Sequence, residues 1–179
     1  MGDGFEVMES VELGDLTGVK EDKVVLPVSS GVKLRVQKVS SRLNQKSGIT
    51  SLNVQVQLPE GVEVPEKDAA GSFTGAMTKK FVNKVDFIEL PYKVDTTIRT
   101  EERWTKPSRP YLVPLKQFLA AMGYDLTSPP PINDETMASL VGRELRANIK
   151  QREIRVKQAD GSYKGTGEFK HEFAGFSAA

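Results

Sequence analysis

The chain predicts a mainly β protein, a small antiparallel barrel with one main helix plugging an end, on three observations. Two neighbouring segments alternate strictly between apolar and polar residues, one segment carries a helical apolar stripe, and two further strand patterns follow that helix. In the first segment, Val32–Ser40, Val32, Leu34 and Val36 alternate with Lys33, Arg35 and Gln37. In the second, Ile49–Leu58, Leu52, Val54, Val56 and Leu58 alternate with Ser51, Asn53, Gln55 and Gln57. Period-two alternation marks strands buried on one side only. The polar sides are cationic and amide-rich, with no carboxylate in either strand.

The remaining elements follow in order. Val24–Val28 reads as a short first strand, broken by Pro27. Asn44–Gly48 is the polar turn of the hairpin, with Gly48 able to take positive φ. Pro59–Thr78 has no apolar period and reads as a long mobile surface loop, at about 59–78. Lys79–Leu90 is a strand pattern with Val85 and Phe87 in phase, and Tyr92, Val94, Thr96 and Ile98 alternate after Pro91. The main helix spans about 112–123: Leu115, Phe118, Leu119 and Met122 form one stripe, Pro114 suits the first turn and Gly123 the end. The Ser128–Pro131 run is a stiff connector. A short second helix spans about 134–141, capped by Asp134, with Met137, Leu140 and Val141 inward and Gly142 as terminator. Arg143–Lys157 and Gly167–Phe176 form the closing strand pair around an Asp160-Gly161 turn, the latter with Phe169 and Phe173. Five-stranded oligonucleotide-binding (OB) barrels meet this description.

Composition narrows function. The 179 residues suffice for one domain, with 38% apolar and 27% charged residues. Cysteine is absent and histidine occurs once, His171. Thiolate chemistry, disulfides and multi-histidine metal sites are therefore excluded, and a reducing, cytoplasmic setting is allowed. No run approaches the roughly 18 apolar residues of a membrane span, and the acidic N-terminus does not read as a secretory signal. Residues 1–23 hold seven acids and two lysines, net −5, against +1 for the whole chain, which leaves +6 for residues 24–179. The expected organisation is thus an acidic flexible arm over 1–23 and a single OB-like nucleic-acid-binding domain over 24–179. Such an arm can compete with polyanions for the basic body, or recruit partner proteins.

Three regions carry candidate binding residues. Lys33, Arg35, Arg42 and Lys46 lie on the first hairpin or its turn. Between Tyr92 and Tyr111 the aromatic residues interleave with Arg99, Arg103, Lys106 and Arg109. Trp104, the only tryptophan, sits there in a polar neighbourhood, as a base-stacking residue would rather than a core one. Arg146 and Lys150 share the polar face of the Arg143–Lys157 strand, and Tyr163 stands at the closing hairpin's tip. Cations meet phosphates and aromatic rings meet bases, so this combination points to a single strand. No phosphate-cradling loop and no Gly-x-Ser-x-Gly elbow occurs. Asp86 and Glu89 are the carboxylates that a metal-dependent nuclease would need, but their spacing puts them on opposite strand faces. The expectation is a protein without catalytic residues, metal or cofactor. A structural or assembly protein making protein–protein contacts is the alternative, and the nuclease comes after it.

The segments Gly31-Val-Lys-Leu-Arg-Val36, Gln45-Lys-Ser-Gly48 and Leu52-Asn-Val-Gln-Val56 resemble the opening of phage-encoded single-stranded DNA-binding proteins with an OB fold. The later Leu115-Lys-Gln-Phe-Leu-Ala-Ala-Met-Gly123 and Leu140-Val-Gly-Arg-Glu-Leu145 runs resemble their helix and final hairpin entry. The resemblance covers roughly residues 28–58 and 112–176. It implies a barrel that coats single-stranded DNA in phage replication or recombination, in the host cytoplasm. The implied partners are replication or recombination proteins, and a homo-oligomer is allowed. By position, Lys33, Arg35, Arg42 and Lys46 meet phosphate. The acidic segment departs from the family pattern in standing at the opposite end of the chain.

Overall fold

The computed structural model describes residues 24–179, so the acidic arm lies outside the described residues. Seven strands and three helices form: β1 (Ser29–Asn44), β2 (Ile49–Leu58), β3 (Val62–Lys67), β4 (Phe73–Lys80), β5 (Lys84–Val94), α1 (Glu102–Thr105), α2 (Val113–Ala121), α3 (Asp134–Leu140), β6 (Glu144–Lys157) and β7 (Tyr163–Ala178). Five strands make one antiparallel sheet in the order β5-β2-β1-β6-β7, and β3-β4 is a separate hairpin. With α2 inserted between β5 and β6, the arrangement is mainly β and OB-like.

The alternating aliphatics do what period two requires. Leu34, Val36, Leu52, Val54, Val56, Leu145 and Ile149 are buried in one core, and their polar neighbours face outward except Ser51, which is buried. The apolar stripe of α2 completes that core: Leu115, Phe118, Leu119 and Met122 are all buried, and the Phe118 ring meets Phe176 of β7 edge-on, centroids 5.7 Å apart. Helix α2 packs on both edge strands, β7 and β5. It therefore covers the seam that ladder hydrogen bonds leave open. Among the described residues no helix is long and apolar enough to cross a membrane.

A polar clasp reinforces the seam. His171 of β7 and Asp86 of β5 are joined Nε2 to Oδ2 at 2.6 Å, both largely shielded. The imidazole Nδ1 accepts the Leu26 amide at 3.2 Å, which leaves Nε2–H to donate to the carboxylate. Gln151 Nε2 donates to the Leu26 carbonyl, so both polar groups of that residue are held while its side chain is fully buried. Burial pushes the Asp86 carboxyl up, but the hydrogen bonds from His171 and from the Phe87 amide outweigh it and hold the group below its usual range. A depressed carboxyl stabilises the fold above its unfolded value of about 3.9, and that stability is lost as pH falls through the folded value. Asp86→Asn should accordingly cost about 1–3 kcal/mol at neutral pH and flatten the acid limb of a urea-melt series. An acid limb identical to wild type would count against the clasp.

Several expectations require correction. Val24–Val28 forms no strand; Leu26 is clamped by side chains instead of joining a ladder. Residues 59–78 are not a structureless loop but mostly the β3–β4 hairpin, whose register pairs Val62 with Lys80 and Val64 with Thr78. Of its side chains only Val62 is fully buried and only Val64 packs against the core beside it, too short a run for an apolar period to advertise the hairpin. The alternation after Pro91 does not continue to Ile98, because the chain leaves β5 at Val94 and turns at Asp95. The cap of α3 is Asn133, which accepts the Thr136 amide at 2.8 Å, not Asp134. Val141 is exposed beyond α3, and Phe169 is exposed on β7. Most consequentially, Val85 and Phe87 do not face the core; Asp86, Ile88 and Leu90 do.

Candidate nucleic-acid interface

Registered partners on antiparallel strands project to the same face, so the ladder defines the outer surface of β1, β2 and β5 row by row. Three open rows are Arg35–Gln57–Val85, Lys38–Gln55–Phe87 and Ser40–Asn53–Glu89; the fourth, Arg42–Ser51–Pro91, is covered at its centre, where Ser51 is buried. Cations and Ser40 thus line β1, the amides of Gln57, Gln55 and Asn53 line β2, and β5 presents Val85, Phe87 and Pro91 with the carboxylate of Glu89 among them. Three strands spaced about 4.8 Å apart span about 10 Å, and the three open rows extend about 14 Å. That is enough for a short stretch of single strand.

A bulge creates this face. The β1–β2 register shifts between Val36 and Lys38. Strict alternation from Val32 would aim Lys38 into the core with Val36, and the shift turns it outward beside Gln55 instead. Gln37, displaced by the shift, donates its amide to Gln57 at 3.1 Å.

The twelve residues singled out in the sequence fall into three groups rather than one groove. Lys33, Arg35 and Arg146 sit together where β1 pairs with β6, with Lys33 opposite Arg146. All three are engaged. Lys33 Nζ lies 2.8 Å from Glu60, Arg35 Nη2 lies 2.7 Å from Glu144, and Arg146 donates to the Gly31 carbonyl at 2.9 Å. The Lys33 ammonium beside Glu60 holds that carboxyl below its usual range. The absence of acids from β1 and β2 therefore overstated the free positive charge, since neighbouring segments supply the counter-ions.

The second group gathers at the β1–β2 turn. Arg99 Nε donates to the Ser47 carbonyl at 3.0 Å, and the Asp95 amide donates to Gly48 at 2.8 Å. These bonds pin the segment after β5 against the hairpin turn. Gly48 has φ +67°, and a Cβ there would lie 3.1 Å from both Asp95 and Ile98, so the close approach demands glycine. Arg42 and Lys46 lie on this hairpin and its turn, Arg103 and Lys106 follow on the pinned segment, and Arg109 lines a neighbouring hollow with Tyr92 and Leu112. Arg99 is paired with Glu101 and Lys106 with Glu102. Lys38, Arg42 and Lys46 form no ion pair among the described residues.

Trp104 is half-buried, so it is neither sealed in the core nor an open platform. Its ring tilts against Tyr111 at 5.6 Å, and the Arg103 guanidinium stands 4.8 Å from the ring centroid. Pro91, Pro110 and Pro114 complete a surface hollow of about 300 Å³ around these rings. Because Pro91 ends the fourth row, this hollow continues the outer face of β5. Tyr92, by contrast, points inward and bonds Ser41.

The third group lies apart. Lys150 is exposed on β6 opposite Glu172, and Tyr163 pairs with Lys157 at the far end of the β6–β7 hairpin, roughly 20 Å further along. Neither joins the β1–β2–β5 face. Asp86 and Glu89 do not converge either, one inward in the clasp and the other outward in the third row.

Two functional candidates escape the sequence reading, Lys38 and Phe87. The Phe87 side chain is 60% exposed in the middle of the polar face, between Gln55 and the two outward neighbours on its own strand. An aromatic ring this exposed on a sheet surface gains little from burial. The competing phase, Asp86, Ile88 and Leu90, was the available signal. Comparison with protein-family models finds no match, and comparison with curated proteins finds none.

Proposed function

We propose that this chain is a non-catalytic single-stranded DNA-binding protein that uses the outer face of β1, β2 and β5. The observation that carries the reading is the row Lys38–Gln55–Phe87, with a cation for phosphate, an amide for base edges and an exposed ring for stacking. The hollow around Trp104 and Tyr111 extends the stacking stripe, and Arg42 with Lys46 extends the phosphate track. The net charge of +6 on residues 24–179 favours a polyanion over a neutral partner. The resemblance to phage-encoded proteins of this kind suggests the setting: coating single strands during phage replication or recombination in the host cytoplasm. Residues 1–23 are then the segment for recruiting partner proteins.

Anisotropy of labelled oligo-dT tests the reading without relying on where the tryptophan lies. Binding at low salt is expected, with log K falling against log salt at a slope of about −2 to −3 if three or four phosphates are neutralised. No binding at low salt, or a slope near zero, would overturn it.

A further inference from the structure

We propose that Glu89 makes this face selective for guanine among the bases of a bound single strand; the inference rests on the nucleic-acid reading above. Glu89 is exposed in the third row, flanked along β5 by Phe87 and Pro91 and across the ladder by Asn53. Among the described residues its carboxylate has neither a hydrogen-bond donor nor an ion-pair partner. On a face that must attract phosphate, an unneutralised carboxylate repels the backbone and weakens binding. It becomes favourable only when a base donates hydrogen bonds to it.

A carboxylate is an acceptor only. Single-strand binders read unstacked bases along their Watson–Crick edges. Guanine alone presents two adjacent donors there, N1–H and the 2-amino group, which match the two carboxylate oxygens. Adenine and cytosine place one amino donor beside a ring-nitrogen acceptor, and thymine places its N3–H between two carbonyls. Each therefore sets at least one lone pair against the carboxylate. The Asn53 and Gln55 amides, in the same and the neighbouring row, supply the donors that the guanine O6 needs. Phe87, two residues away on the same face and so about 7 Å distant, supplies the ring against which that base or its neighbour stacks. A charge on an edge strand also discourages sheet-to-sheet pairing, but that role carries no base preference.

The test compares a short labelled oligo-dT with the same oligonucleotide carrying isolated guanines, which cannot form quadruplexes, and with inosine in place of guanine. Wild type is expected to bind the guanine-containing strand about tenfold more tightly, the gain of one bidentate pair. Inosine, lacking the 2-amino group, should lose most of that gain. Glu89→Gln should erase the preference while tightening binding to oligo-dT, because the repulsion is gone. Equal affinity of wild type for oligo-dT and the guanine strand overturns the selectivity and leaves the binding reading standing, as does a preference undiminished in Glu89→Gln. Absence of binding to every oligonucleotide overturns both.

Discussion

Phe87→Ala should weaken binding of oligo-dT by about tenfold or more while leaving the melting temperature close to wild type. A base stacked on an aromatic side chain contributes about 1–3 kcal/mol by alanine substitution. Phe87 is the most exposed ring on the outer face, and it stands in register with Gln55 and Lys38, so a base held there is also within reach of an amide and a phosphate contact. The same exposure makes the fold indifferent to its loss, since little apolar area is removed from water on folding. Anisotropy gives the affinity and circular dichroism the stability. Affinity within twofold of wild type would remove Phe87 from the interface. A large drop in melting temperature would mean that its ring packs against something in solution.

Phe118→Ala should be the most destabilising single substitution in the chain, costing about 3–5 kcal/mol. Phe118 is 0% exposed, the largest of the fully buried side chains, and its ring meets Phe176 edge-on. Truncation leaves a cavity at the point where α2 bridges β5 and β7, and backbone hydrogen bonding does not close that seam. The remaining side chains on α2, Leu115 and Leu119, cannot collapse into the gap without withdrawing the helix from one edge strand. For a chain of this length the cost corresponds to a fall of roughly 6–20 °C in melting temperature. A shift of less than about 2 °C would show that α2 is not what holds the two edges together.

The two substitutions separate the parts of the molecule that were legible in the sequence from those that were not. Phe118 was readable because the helical stripe repeats every three to four residues, and no alternative phase competes with it. The β1 and β2 cores were readable for the same reason, since strict alternation leaves a single apolar side. Phe87 was not readable. In β5 both phases carry apolar residues, Val85 and Phe87 against Ile88 and Leu90, and the phase containing Asp86 won because the carboxylate finds His171 across the seam. Lys38 was hidden by a bulge, which inverts the facing of every later residue in the strand. Arg35 and Lys33 were recognised as cations, but their neutralisation by Glu144 and Glu60 involves residues far along the chain or beyond the hairpin.

The sequence by itself determined a mainly β chain with one amphipathic helix, a basic body and an acidic leading segment, because periodicity and composition are local properties that survive without knowledge of neighbours. Tertiary structure alone decided which face of β5 meets water and which cations stay free. It also decided that Trp104 shares its ring with Arg103 and Tyr111, and that His171 closes a seam. Each of these depends on a partner brought close by folding, and burial, ion pairing and ring stacking act over a few ångströms in space, whatever the distance along the chain.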